Sequence, residues 1–430
     1  MSPPRPAELP PRADSPGPRT VLFTPASNVL FHVGRCVVLA RELTRRGHRV
    51  VVAGSPRYLR DPAVAADLEF EPLPDLSPEA GMELLRSILN RPDRGAIEAM
   101  IEAEISVLRR LRPDLVVADF RPTLRVSTAV CGVPLASLLL GYWLPEYANA
   151  PDFVPRTYPV VVHASRLVGE RLARRLAPPA FRFVIRRKSA PLRAAARARG
   201  QHLPPLLWDF LQGDLNLVTD ADELSPLPVP PGFHRVGPIV WEPEAAAPGW
   251  LAQLDRTRPV VFVNYGSTAH PDLFRRTFAE LADRPWQVIL ATCDQIDPRE
   301  FRVPANFVVE KFVPVSKVLE VADLVLYHGG AGTFHQAARA GVPGVVVATH
   351  WDQEWAGRLT QQRRLGSFLT LHEVRRTPGL IAATVEGVLT DLPAHRQRAA
   401  LLRDALAKHD GPVAAADRIE AFLASVPAPG

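Results

Sequence analysis

Cysteine is scarce in this chain. Of 430 residues only Cys36, Cys131 and Cys293 carry a thiol, they lie far apart, and no Cys-x-x-Cys pair occurs. That excludes a disulfide framework and a zinc ribbon and suits a reducing compartment. His32 precedes Cys36 by four positions, but two such residues do not make a metal site, and none is expected. No run approaches ~18 consecutive apolar residues, the length a membrane-spanning helix needs. The N-terminal stretch MSPPRPAELPPRADSPGPRT also lacks the apolar core of a signal peptide, so the expectation is a cytoplasmic protein without a transmembrane segment. Aromatic residues make up 7% and are not interleaved with the basic ones; the net charge of +6 therefore favours small anionic ligands and not nucleic acid. Two further absences narrow the chemistry. Without Gly-x-Ser-x-Gly there is no nucleophile elbow of a hydrolase, and without an early Gly-x-Gly-x-x-Gly there is no dinucleotide fingerprint of an oxidoreductase.

What is present is an alternation of short apolar runs and helical patterns, in two series. Length alone favours two domains. Residues 1–18 form a proline-rich tail expected to be disordered. A strand at Thr20–Thr24, a loop through Pro25, Ser27 and Asn28 to His32, a helix stopped by Gly47 and a strand at Val50–Ala53 make a βαβ unit. A long helical pattern runs from Leu84 to Leu111, a strand at Leu115–Ala118 ends on Asp119, and another at Val133–Leu140 precedes an aromatic segment. Leu215–Val218 reads as the last strand of the first domain, 19–219. The stretch 220–258, with PLPVPPG at its centre, reads as the linker. The second domain, 259–408, opens with a strand at Val260–Val263, and residues 409–430 supply a C-terminal helix able to pack back on the first. The fold class expected is α/β, two doubly wound domains facing a cleft.

The most informative stretch is VADLVLYHGGAGTFHQAARAGVPGVVVATHWDQ, Val321 to Gln353. A valine- and leucine-rich run closed by glycines suits a buried parallel strand. The turn His328-Gly329-Gly330-Ala331-Gly332-Thr333 then opens a helix whose free N–H groups and positive dipole end make a seat for phosphate. A second strand follows, and the polar residues after it, ending in Asp352 and Gln353, emerge on the same sheet edge as the turn.

His-Gly-Gly-Ala-Gly-Thr, then Gly341-Val342-Pro343 thirteen residues after the histidine, then Asp352-Gln353, resembles the donor signature of nucleotide-sugar-dependent glycosyltransferases with the GT-B fold. The style is that of bacterial enzymes that glycosylate antibiotics, macrolides and other natural products, and of plant enzymes that glucosylate small metabolites. The resemblance implies an inverting, metal-independent hexosyltransferase that needs no cofactor beyond its co-substrate, a UDP- or dTDP-linked sugar, and that acts on a hydroxyl of a small-molecule acceptor. It implies that Gly266, Ser267 and Thr268 touch phosphate, that Phe312 and Val313 lie against the base, and that His328, Gly329, Gly330, Gly332 and Thr333 hold the diphosphate. Gln336 would meet the ribose, and Asp352 and Gln353 the sugar hydroxyls. His32 would be the general base and Asp119 its acidic partner, since a neutral imidazole can take the proton of an attacking hydroxyl and a carboxylate can fix its tautomer.

Departures from the family pattern gather at the acceptor side. Phe31 stands where relatives carry glycine, and Gly34-Arg35 where Asn-Pro is common; Arg35 is expected to face water. Ala348 and Ala356 replace a proline and an asparagine around the Asp-Gln pair. Phe31, Tyr142, Trp143 and Tyr147 are the candidate acceptor contacts. Residues 166–199 hold eleven arginines and lysines against one acid, Glu170, and are expected to be a solvated helical face, with an anionic acceptor or a membrane surface as the alternative. Two other functions stay open: a nucleotide-sugar-binding relative without transfer activity, and a lipid glycosyltransferase acting at a membrane surface.

Overall fold

Strands that are apolar from end to end need both faces covered, and this chain covers them with helices in two successive layers. The computed structural model describes residues 17–87, 90–148, 153–225, 228–243 and 245–426. The first sheet holds β1 Thr20–Pro25, β2 Arg49–Gly54, β3 Glu69–Pro72, β4 Leu115–Asp119, β5 Leu135–Leu139, β6 Leu215–Val218 and β7 Phe233–Arg235, in the order β3-β2-β1-β4-β5-β6-β7. The second holds β8 Val260–Asn264, β9 Gln287–Ala291, β10 Phe307–Glu310, β11 Leu324–Tyr327, β12 Gly344–Ala348 and β13 Gly366–Thr370, in the order β10-β9-β8-β11-β12-β13. Every recorded pairing is parallel. Both sheets are thus doubly wound.

The helices that matter below are α1 Leu30–Arg45, α2 Pro78–Arg86, α3 Arg94–Leu111, α4 Pro159–Val168, α5 Glu170–Lys188, α6 Ala331–Ala340, α7 Gln353–Gln362 and α8 Gly411–Ser425. The single long pattern expected over Leu84–Leu111 is two helices. Pro92 cannot continue the first, and the Asp93 side chain accepts from Ala96 N to start the second. Nor is β6 the last strand of the first sheet, because β7 adds a parallel edge inside the stretch read as a linker. Proline and glycine around Phe233 suggested an open connection, yet an edge strand of three residues tolerates proline close by. Of the proline-rich tail, residues 1–16 lie outside the described residues.

The chain returns to its beginning at α8. Ala415, Ala416, Ile419 and Leu423 are fully buried in one cluster with Val33, Val37 and Ala40 of α1 and with Val236 and Ile239. Arg46 Nη1 meets Asp417 at 2.7 Å and Glu420 at 2.6 Å across the same contact. One buried cluster takes in residues of both units. An aromatic seam joins them, with Trp143 edge-on to Trp351 at 5.1 Å between ring centroids and Tyr142 tilted on Trp355 at 5.4 Å. Beneath it His335 Nε2 meets Asp220 Oδ1 at 3.1 Å, both side chains 0% exposed.

Candidate active site

In each sheet the strand order reverses once, between β1 and β4 and between β8 and β11, and the carboxyl ends flanking a reversal leave a crevice that neighbouring helices do not fill. The loops there carry the residues singled out from the sequence. His32 follows β1, Asp119 ends β4, Gly266–Thr268 follow β8 and His328 to Gly332 follow β11. One cavity of about 440 Å³ joins the two crevices, with His32 on one side and Ser267, Thr268 and Asp352 on the other.

His32 lies in the first turn of α1. Its Nδ1 is 2.7 Å from Asp119 Oδ1. An ionised carboxylate only accepts, so Nδ1 carries the hydrogen, and in the neutral ring the lone pair is on Nε2. The ring is held from both flanks: Phe120 stacks on it at 5.4 Å and 13°, and Phe31 tilts against it at 5.5 Å. Phe120 has φ +53°, a region bulky residues avoid, and this places its ring over His32 and 4.3 Å from Trp143.

The structure corrects one expectation sharply. Arg35 does not face water; it is 1% exposed. Its Nε donates to Asp119 Oδ2 at 2.8 Å, Nη2 donates to Oδ1 at 2.6 Å, and Nη1 donates to Thr219 Oγ1 at 2.5 Å. The guanidinium also lies 4.5 Å over the Phe31 ring. Burial pushes the Asp119 carboxyl up, but Arg35 and His32 together pull it further the other way, and it stays below the ordinary carboxylate range. The dyad read from the sequence is a buried triad of imidazole, carboxylate and guanidinium. A signal for it did exist: His32 and Arg35 are three apart on one helix, so both reach Asp119 from the same face.

On the opposite wall the imidazole of His328 is clamped between two glycines. A Cβ at Gly266, whose φ is +63°, would lie 2.8 Å from its Cε1, and one at Gly330 would lie 2.5 Å from Cε1 and Nε2. Burial, with His350 adding to it, pushes the His328 pKa down to about 3, so the ring is neutral at ordinary pH. Its Nδ1 is buried without a hydrogen-bond partner among the described residues. An orphaned buried nitrogen beside the free N–H groups of α6 is the arrangement expected of a site that a ligand completes. Gly329 has φ +91°, and a Cβ there would lie 2.6 Å from the carbonyl oxygen of Gln353, so the turn packs directly on the start of α7. Asp352 caps that helix and pairs through Oδ1 with His350 Nε2 at 3.0 Å. Gln353 is buried, and its Oε1 already accepts from Thr349 N at 2.8 Å and Thr349 Oγ1 at 2.9 Å, which leaves its amide N–H₂ for other partners. His350, noted in the sequence only as part of a polar loop, is held between Asp352 and the Thr349 hydroxyl, 2.9 Å from its Nδ1.

The remaining candidates divide. Thr333 is buried in the first turn of α6, while Gln336 is half-buried one turn on. Phe312 is 58% exposed and Val313 is 9% exposed, at the mouth of the second sheet. Tyr142 and Trp143 line the cavity. Tyr147 does not; its ring packs on Phe153 at 4.9 Å and over Trp351 at 6.4 Å. Phe31 also lies away from the cavity lining and crosses to the donor wall, where a Cβ on Gly332 would come within 3.0 Å of its ring. The rest of the lining is mostly apolar, from Met82, Leu85, Met100, Val161, Phe181 and Ile185 among others, with Arg121, Asp75 and Lys188 as charged members.

Known proteins share the fold. Residues 275–422 match the family model described as the C-terminal domain of erythromycin biosynthesis protein CIII-like proteins. Over 398 residues the chain is 30% identical to a PGL/p-HBAD biosynthesis rhamnosyltransferase of Mycobacterium bovis (strain BCG / Pasteur 1173P2), covering 91% of this chain and 85% of that protein. Among solved structures, the spinosyn forosaminyltransferase SpnP superposes with a TM-score of 0.67 at 21% identity, covering 94% of this chain and 99% of that one. The glycosyltransferase VinC in complex with dTDP superposes with a TM-score of 0.65 at 20% identity, over 94% and 99%.

Proposed function

Since the chain belongs to the family of GT-B glycosyltransferases related to the natural-product enzymes, we propose that it moves a hexose from a UDP- or dTDP-linked donor to a hydroxyl of an apolar acceptor, with inversion. The donor diphosphate sits on the N-terminus of α6, between His328, Thr333 and the Gly266–Thr268 turn. Phe312 and Val313 flank the base, Gln336 meets the ribose, and Asp352 with the Gln353 amide reads the sugar hydroxyls. The acceptor enters the apolar cavity beside Tyr142 and Trp143.

In the step itself, His32 Nε2 takes the hydroxyl proton while the oxygen forms its bond to the anomeric carbon. The bond from that carbon to the diphosphate breaks, and the diphosphate leaves with the electron pair. The α6 dipole and its N–H groups stabilise the charge that develops on it. Attack from the face opposite the leaving group inverts the anomeric centre, so an α-linked donor yields a β-linked product. Asp119 holds the imidazole tautomer and stabilises the imidazolium, and Arg35 keeps Asp119 ionised while it does so.

The observation that carries this reading is the 2.7 Å contact between His32 Nδ1 and Asp119 Oδ1 at a cavity shared with the phosphate turn. It favours a transferase over a binding protein without turnover, which has no need of an oriented base. The test is a donor-by-acceptor screen by mass spectrometry with the wild-type chain and His32→Ala. Product from the wild type and a loss of about 10³-fold or more in the variant is expected. Transfer that survives His32→Ala removes the base, and calorimetry showing that no nucleoside diphosphate sugar binds removes the whole reading.

A further inference from the structure

The hairpin of α4 and α5 exposes large apolar side chains that a water-facing surface does not need. Leu167 is 88% exposed, Phe183 66%, Val160 63% and Leu176 51%. On α5, Leu172, Leu176 and Phe183 are spaced four and seven apart, which puts them on one stripe. Ala173, Phe181 and Ile185 point the opposite way, into the protein. Exposed arginines border the stripe, Arg175, Arg182 and Arg186 along one side and Arg187 along the other. The single acid of the hairpin, Glu170, pairs with Arg174 at 2.5 Å. The arginines are exposed, as the solvated face expected from the sequence requires, but such a face has no need of the apolar stripe beside them.

The same helices form the outer wall of the cavity. Val160, Val168 and Leu176 both line it and are exposed, so the apolar surface runs without a break from the stripe to the chamber that His32 faces. Lys188 anchors the hairpin from inside, donating to the carbonyl oxygens of Leu84 and Ser87 at the end of α2.

We propose that the α4–α5 hairpin docks on an anionic lipid bilayer, its leucines and Phe183 entering the interface and its arginines meeting the headgroups, so that a membrane-dissolved acceptor enters the cavity between α4 and α5. An apolar stripe inside a rim of cations matches that surface in both its parts, apolar depth and negative charge. The route for the acceptor rests on the proposed transfer reaction; the docking does not.

The test is co-sedimentation of the full chain with vesicles of phosphatidylcholine alone and of phosphatidylcholine with roughly a third phosphatidylglycerol, at low and high salt. Binding to the anionic vesicles, weakened by salt, is expected. Leu167→Asp with Phe183→Asp, both at exposed positions away from the cavity lining, lowers that binding by about tenfold or more. Arg175→Glu with Arg186→Glu lowers it as far, and far-ultraviolet circular dichroism checks that each variant is folded. Absence of binding to anionic vesicles overturns the docking, and so does binding that the aspartate pair leaves unchanged. If the surface serves an acidic protein instead, the glutamate pair loses that protein while the wild type ignores vesicles, which also overturns it. Turnover of a water-soluble acceptor, measured in parallel, separates the two readings: turnover without vesicle binding removes the docking alone, and vesicle binding without turnover of any acceptor removes the transfer alone.

Discussion

Replacing Arg35 with methionine is the perturbation that probes this structure most directly, since it keeps the volume and removes the charge. Asp119 is fully buried and holds its ionised form against desolvation through the two Arg35 contacts and the one from His32. Breaking one partner out of a buried ion pair costs about 3–5 kcal/mol, because the charge left behind stays buried. At about 2–4 °C per kcal/mol for a domain of this size, melting of the first domain should fall by on the order of 10 °C. The chemistry should change as well. With Arg35 gone, Asp119 loses the guanidinium that lowers its pKa, so the carboxylate takes up a proton at higher pH and there no longer accepts from His32 Nδ1. The acidic limb of the kcat/KM profile is therefore expected to move upward. Arg35→Lys, which restores charge without the bidentate fork, should fall between the two. Melting curves and pH–rate profiles of the three proteins decide the matter. An Arg35→Met enzyme that melts within a degree of wild type with an unmoved acidic limb would refute the reasoning.

Asp119→Asn keeps the shape but offers His32 no ionised acceptor, and a loss of about 10³–10⁴-fold in kcat with little change in donor affinity is expected from kinetics at saturating donor; a loss confined to KM argues against a tautomer-fixing role. Gly330→Ala places a methyl 2.5 Å from the His328 ring, and calorimetry should show nucleoside diphosphate binding weakened by about tenfold or more, with a stability cost of about 1–3 kcal/mol. Undiminished affinity would mean that His328 is not a diphosphate contact. The pH dependence of stability has a definite sign here: His328 has a folded pKa of about 3, so between there and its unfolded value the unfolded chain binds the extra proton. Stability contributed by the neutral ring is thus present near neutral pH and is lost as pH falls below ~6.5, by up to ~1.4 kcal/mol per pH unit. Asp119, also depressed, acts in the same direction at lower pH. His328→Gln should flatten the curve between about pH 6 and 4 by about one proton, and denaturant titrations across that range will read it; an unchanged slope would contradict a neutral buried imidazole.

The half proposed to hold the donor was legible because it is local. A strand, a glycine turn and a helix N-terminus are contiguous, so the phosphate seat from His328 to Thr333 and the Asp352-Gln353 pair can be read as one string, and the parallel crossover brings them to one edge. His32 and Asp119 are 87 positions apart, yet each ends or follows a strand of the same sheet, and the β1/β4 reversal accounts for their meeting. Arg35 was misread because its role depends on three separate segments: α1 supplies the guanidinium, β4 the carboxylate and the residue after β6 the Thr219 hydroxyl. No window of sequence contains them all. Phe31 and Phe120 were opaque for the same reason, since each acts through ring contacts across a gap between elements.

Hydrophobic periodicity and glycine placement, then, determined by themselves the doubly wound class and the strand–turn–helix unit from Val321 to Ala340, since these follow from backbone geometry over short spans. Tertiary structure alone decided which charges are buried, what neutralises them, and which wall of the cleft is apolar. Burial is a property of the assembled layers. The same arginine-rich pattern gives a water-facing helix or a rimmed apolar stripe according to which side of α5 the core of the first unit occupies.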